Sequence, residues 1–266
     1  MVIGILKESG SEKRVALLPE AVMTLTKISV TVMVEKDAGL KAFASNADYE
    51  GAGAKIASKN EVIAGCEMLI KINPLTDEEF QLINSDKIFL AQFNPLMNHQ
   101  IVKKFAEKNL TSFSLDVIPR TSRAQAMDIL SSMATVNGYK AVLTAANSIP
   151  KFFPMFMTAA GTITPAKVLI LGAGVAGLQA IATSRKLGAV VQVFDVRAAV
   201  KEEVVGLGAK FVEVEGAIDD KTAGGYAVEQ SEDFRKKQAG RQLLSSPTIS
   251  HTHPCRADEH NRKKFG

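Results

Sequence analysis

Val168-Leu169-Ile170-Leu171-Gly172-Ala173-Gly174-Val175-Ala176-Gly177, followed one helix later by Val190-Val191-Gln192-Val193-Phe194-Asp195, decides how this chain folds. The stretch reads as strand, glycine turn, helix, strand and acidic residue. Each glycine has its own task. Gly172 lets the chain turn sharply off the strand, Gly174 lets backbone approach a pyrophosphate, and Gly177 lets the helix lie close on the sheet. Val175 and Ala176 open the helix, whose first N–H groups and positive dipole end suit a phosphate. Asp195 closes the second strand near the ~20-residue separation at which a carboxylate meets the two hydroxyls of an adenosine ribose. The alternative is a glycine-rich βα turn that binds nothing; the strand before, the helix after and the acid at the right distance argue for dinucleotide binding. Val196 and Arg197 extend the site. An arginine there can serve a 2′-phosphate, but Asp195 would repel that phosphate, so NAD is expected rather than NADP.

Working outward, 266 residues at 46% hydrophobic and 23% charged suffice for two ordinary domains with real cores. A net charge of +4 is small and spread along the chain, with no tryptophan and no interleaving of basic and aromatic residues. Nucleic acid is therefore not an expected partner. Cys66 and Cys255 are far apart and form no disulfide framework. No apolar run approaches the ~20 residues of a membrane span. The chain starts a strand almost at once at Val2, so no leader peptide is expected.

Ahead of the glycine turn, short apolar runs alternate with polar helical stretches. Strands are predicted at Val2–Leu6, Val30–Val34, Met68–Ile72, Ile88–Gln92 and Ser112–Leu115, and helices near Pro19–Lys27, Asn60–Ala64, Thr76–Ile83 and Asn98–Lys108. Such alternation means an α/β domain with a mostly parallel sheet. From Ser122 to about Ala146 the spacing of Ala126, Ile129, Met133 and Val136 predicts a long helix. Gln125, Asp128 and Ser131 step by three and would share one of its faces. Phe152–Met157 reads as a second apolar helical segment. Past the turn, strands are predicted at Lys167–Leu171, Val190–Phe194 and Lys210–Val214, then a helical stretch over Val228–Ala239. The remainder is rich in Ser, His, Arg and Lys and shows no strand-like apolar run. The reading is thus α/β, two Rossmann-like domains with mostly parallel sheets, the second incomplete. Residues 1–120 form an N-terminal domain, 121–165 connecting helices, 166–239 a partial nucleotide-binding domain and 240–266 an atypical, disordered tail.

Several motifs together resemble a known family. They are Lys7-Glu8 with Arg14-Val15-Ala16-Leu17-Leu18-Pro19-Glu20; Pro119-Arg120-Thr121-Ser122-Arg123-Ala124-Gln125-Ala126-Met127-Asp128 with Leu130-Ser131-Ser132-Met133-Ala134; Thr164-Pro165-Ala166-Lys167-Val168; Phe194-Asp195-Val196-Arg197; and Gly224-Gly225-Tyr226-Ala227. Over residues 1 to 239 the chain is similar to the NAD-binding component, domain I, of the proton-translocating NAD(P) transhydrogenase α subunit, which is related in fold to alanine dehydrogenase. The resemblance implies that Arg120, Gln125, Asp128 and Ser131 reach the nicotinamide end of NAD(H), and that Gly225 and Tyr226 belong to a loop closing over the nucleotide. It also implies a homodimer, NADP(H) on a partner domain, proton translocation by partner membrane components, and a cytoplasmic place peripheral to the inner membrane.

The runner-up is a true alanine dehydrogenase. Arg14 and Lys71 match that enzyme's substrate arginine and active-site lysine, but its proton-transferring histidine is missing. The matching strand end reads Leu90-Ala91-Gln92-Phe93-Asn94-Pro95, and His99 lies beyond it in a helix start. Arg14 and Lys71 are then expected to be structural. A non-catalytic nucleotide-binding protein is a third reading. His251, His253, Cys255 and His260 lack the ligand spacing of a metal site, and none is expected. Because the resemblance ends near Ala239, the tail is expected to be out of frame, leaving the second sheet an unpaired edge and the chain impaired.

Overall fold

Strand β1 (Val2–Ile5) begins an alternation of strands and helices. It continues through α1 (Pro19–Lys27), β2 (Thr31–Glu35), α2 (Asn46–Gly51), β3 (Lys55–Ala57), α3 (Lys59–Gly65), β4 (Met68–Ile70), α4 (Asp77–Leu82), β5 (Ile88–Ala91), α5 (His99–Glu107) and β6 (Thr111–Ser114). The computed structural model describes residues 1–85, 87–119, 121–213, 232 and 248–250. The chain divides into two units, Met1–Ile129 and Leu130–Gly266. In the first, the six strands run parallel in the order β3-β2-β1-β4-β5-β6.

Side-chain alternation along these strands builds a core on each face of the sheet. Ile5, Val32 and Val34 join Val22 of α1 and Tyr49 of α2 on one face. Leu6, Leu69 and Phe89 join Val62 of α3 and Phe105 of α5 on the other, with Met33 packed at its margin. Burial on both faces is the usual condition of a parallel sheet. Three helices begin with reciprocal capping boxes, Ser45 with Asp48, Ser58 with Glu61 and Thr76 with Glu79. Each satisfies two N–H groups that the first turn leaves without partners. The five predicted strands of this unit fall within two residues of their observed bounds. The sequence gives no sign of α2 and β3, because six-residue and three-residue elements are too short to show a period.

Glu79 does more than cap. Its carboxylate also takes a 2.7 Å hydrogen bond from the Lys71 ammonium, and both side chains are excluded from solvent, at 0% exposure for Lys71 and 1% for Glu79. Burial alone would raise its pKa. The Lys71 hydrogen bond, the Thr76 N–H and the charges of Lys71 and Lys59 outweigh burial and hold it below the ordinary carboxylate range.

The second unit opens on α6 (Ile129–Ser148), followed by β7 (Phe156–Thr158), β8 (Gly161–Ile163), β9 (Lys167–Leu171), α7 (Val175–Lys186), β10 (Val190–Phe194), α8 (Lys201–Gly206), β11 (Lys210–Phe211) and β12 (Thr248–Ser250). Its main sheet is parallel, in the order β11-β10-β9-β12. Val142 of α6, Ala180 and Ile181 of α7 and Val204 of α8 pack with Val168, Ile170, Val191 and Val193 of its strands.

Three expectations are corrected here. The long helix starts at Ile129 rather than Ser122: Gln125–Met127 form a single 3-10 turn and Asp128 is extended, with ψ 93°. An Asp directly ahead of an apolar periodic run is a helix-start signal, so Gln125 and Asp128 lie outside the helix and share no face with Ser131. Phe152–Met157 is not helical either. Pro150 and Pro154 remove helical N–H donors, and β7 and β8 instead form an antiparallel hairpin. Finally, the tail does supply a strand. Thr248, Ile249 and Ser250 pair with Leu169, Ile170 and Leu171, so the β9 edge expected to be bare is covered. Two β-branched residues and a serine are too brief a run to register as apolar. Val214 and Val228–Ala239, save residue 232, lie outside the described residues.

Glu79→Gln would leave the Lys71 ammonium buried without its counter-charge, and is expected to cost about 3–5 kcal/mol in urea unfolding at neutral pH. The Glu79 contribution is complete above the ordinary glutamate pKa of 4.5 and fades as pH falls from there through the lowered native value. The gap between wild type and variant should therefore close on acidification.

Candidate functional site

The site grows from the exit of β9. Gly172 has φ +94°, a left-handed backbone that side chains rarely adopt, and its N–H donates to Phe194 O at 2.7 Å. Gly174 is the N-cap of α7 with φ −76° and ψ −174°, and no side chain caps the helix there. A Cβ on Gly174 would meet nothing within 4 Å, so space stands open in front of the helix start. Gly177 is the opposite case, because a Cβ there would lie 1.9 Å from the Gly172 carbonyl oxygen. The helix sits on its own turn by backbone contact alone. Val175 is exposed and Ala176 buried.

Asp195, just past β10, joins this turn to the next one. Its Oδ2 accepts the Ala173 N–H at 2.7 Å, and its Oδ1 accepts the Arg197 N–H at 2.8 Å. The Arg197 guanidinium grips both oxygens, Nε to Oδ1 at 3.0 Å and Nη2 to Oδ2 at 2.8 Å. Asp195 is 8% exposed. Burial would raise its pKa, but the Arg197 fork and the two backbone donors more than offset this and keep the carboxyl below its usual range. Val196 and Arg197 are half-buried beside it.

One contributor carries no role in the sequence reading. At Gly138, in mid-helix of α6, a Cβ would stand 2.1 Å from the Ala176 carbonyl oxygen. α6 therefore crosses the first turn of α7 at backbone distance. An isolated glycine inside a helical pattern is the signal for such a packing need.

The nicotinamide-end candidates divide between the units: exposed Gln125 and half-buried Asp128 in the first, half-buried Ser131 in the first turn of α6 in the second. Arg120, Gly225 and Tyr226 lie outside the described residues, as do His251, His253, Cys255 and His260. Among the described residues no cluster of His, Cys, Asp and Glu could hold a metal. The amino-acid-binding candidates are engaged internally, Lys71 with Glu79 and Arg14 with Glu12 through Nε at 2.9 Å and Nη2 at 2.7 Å. His99 is exposed at the start of α5. Cys66 is a buried core residue whose thiol pKa is pushed up by burial.

A parallel α/β unit carrying strand, glycine turn, helix, strand and acid, preceded in the chain by another parallel α/β unit, defines a protein of the dinucleotide-binding Rossmann-like class. Within that class the chain belongs to the alanine dehydrogenase/PNT family. Residues 4–137 match the model of its N-terminal domain and residues 141–248 that of its C-terminal domain. The second match runs past Ala239, where the motif resemblance stops, and ends at the first residue of β12. The first section of the NAD(P) transhydrogenase subunit alpha of Rhodospirillum rubrum, a separate chain there, is 44% identical over 90% of this chain, which spans 65% of that protein. The crystal structure of transhydrogenase from Sinorhizobium meliloti aligns at a TM-score of 0.77 and 42% identity, covering 80% of this chain and 64% of that one. An L-alanine dehydrogenase structure aligns at 0.70 and 26%, covering 82% and 62%.

The glycines give a paired prediction. Gly177→Ala must push backbone from backbone and should destabilise the chain by roughly 3 kcal/mol. Gly174→Ala enters open space and should stay within about 1 kcal/mol of wild type. Thermal unfolding of the two variants side by side measures this.

Proposed function

We propose that this chain is the NAD(H)-binding part of a transhydrogenase that passes hydride between NADH and NADP+. The single observation that carries the reading is the turn itself. Open space lies before Gly174, the α7 N-terminus has no side-chain cap, and Asp195 is tied to that turn through Ala173. A pyrophosphate fits over the uncapped N–H groups of α7, and a ribose fits against Asp195. The nicotinamide supplies the hydride when bound. The protein's part is positioning, since direct transfer between two nicotinamides needs alignment more than acid–base help. In this proposal Arg120, Gln125, Asp128 and Ser131 hold the nicotinamide end, and Gly225 and Tyr226 close over the nucleotide. NADP(H) sits on a partner component, and membrane partners translocate protons. Among the described residues no helix is long and apolar enough to cross a membrane, which suits a cytoplasmic component held at the inner membrane by its partners.

Amino-acid oxidation is the weaker reading. Lys71 and Arg14 are engaged with Glu79 and Glu12, and the end of β5 offers Gln92 where a proton-transferring histidine would be needed. Incubation with alanine and NAD should yield no pyruvate; sustained pyruvate formation would reverse the order of the two readings.

A homodimer is part of the proposal. Phe152, Met155, Phe156, Met157 and Ile163, on and beside the β7–β8 hairpin, are all exposed, and a cluster of large apolar side chains of that kind marks an interface. Light scattering at micromolar concentration should give twice the chain mass; a monomer would contradict it.

The cofactor prediction concerns Asp195. Asp195→Ala should weaken NADH binding about tenfold and narrow its advantage over NADPH, measured by calorimetric titration. Equal binding of both cofactors by the unmutated chain would contradict the proposed role of this carboxylate.

A further inference from the structure

We propose that the Arg197 side chain is a displaceable cap on Asp195, and that it sets how sharply the site separates NADH from NADPH; the inference rests on the dinucleotide reading above. The Asp195 carboxylate accepts four hydrogen bonds, from Ala173 N–H, Arg197 N–H, Arg197 Nε and Arg197 Nη2. A carboxylate offers about four lone-pair sites, so these donors fill it. A ribose diol has no acceptor left until one or two of them leave.

The four donors are not equally free to go. Ala173 N–H belongs to the glycine turn and Arg197 N–H to the backbone leaving β10, so both are fixed by the fold. Nε and Nη2 hang on a flexible stem whose side chain is 23% exposed, against 5% for Asp195. The guanidinium is the partner that can swing out, and it vacates one site on each oxygen. The pair closes the site when no sugar is present and must open when one binds.

The departing guanidinium keeps its charge, since arginine does not deprotonate in proteins, and its tether leaves it beside the sugar edge that Asp195 reads. A 2′-hydroxyl takes the freed carboxylate. A 2′-phosphate is repelled by the carboxylate but finds the freed fork, whose planar donors suit phosphate. One side chain thus weakens NADH binding by competition and supports NADPH binding by attraction, and both effects reduce discrimination.

The test is calorimetric titration of the full chain and its Arg197→Gln and Arg197→Lys variants with NADH and NADPH. Arg197→Gln should bind NADH about fivefold tighter, the strength of one partly exposed ion pair, and NADPH about tenfold weaker. Arg197→Lys keeps a point charge without the fork, so it should bind NADH about twofold tighter while retaining most NADPH affinity. It carries the test alone if the Gln variant does not fold. Adenosine, which has the diol but no phosphate, should follow the NADH trend, and 2′-deoxyadenosine should follow it less. NADH binding that is unchanged or weakened in the variants, or NADH and NADPH affinities that move together, would overturn the cap and leave the dinucleotide reading standing. Absence of NADH, NADPH and adenosine binding in wild type and variants alike would overturn both.

Discussion

The second unit depends on one close backbone crossing. The first turn of α7 rests on the Gly172 carbonyl at Gly177, and α6 rests on the Ala176 carbonyl at Gly138. Both crossings forbid a side chain at the glycine, and together they hold α7 from two sides within its first turn. Its N-terminal N–H groups are thereby fixed in direction, which a phosphate site requires, because an anion is bound by dipoles already aimed at it. Gly174 stands between these packed glycines with nothing in front of it, and so leaves the helix start open to a ligand.

The two buried ion pairs have different characters. Lys71 and Glu79 are closed off on both sides, and the carboxylate also caps α4, so opening the pair would strand a charge in the core. Asp195 is buried but its partner is partly open to solvent, so the pair can separate without stranding the guanidinium. Pairs of the first kind hold a fold together, and pairs of the second kind can respond to a ligand. The same contrast bears on the lysine and arginine that match an amino-acid-binding enzyme: their charges are already engaged by Glu79 and Glu12.

Much of this is legible from residues alone. Lys167–Leu171 and Val190–Phe194 are observed over the predicted bounds, because continuous apolar runs punctuated by glycine or acid admit little else. The turn, its three glycines and Asp195 can be named because their roles are fixed by backbone geometry. What stays hidden is short or depends on contact. β3, α2 and β12 are below the length at which a period shows. The Arg197 fork on Asp195 and the Gly138 crossing are tertiary facts with only faint local signals. The helix start at Ile129 is obscured because periodic apolar spacing continues backward through a 3-10 turn, although Asp128 is the proper start signal. The hairpin at Phe156–Ile163 is masked by apolar content that outweighs the two prolines preceding it.

If the uncapped start of α7 and the Asp195 carboxylate form one dinucleotide site, a crystal structure of the chain with NADH will show it. The pyrophosphate is expected over Gly174, within hydrogen-bond distance of the N–H groups of Val175 and Ala176, with an adenosine ribose on Asp195. A nucleotide bound elsewhere, or a chain that takes up none at saturating NADH, would contradict it.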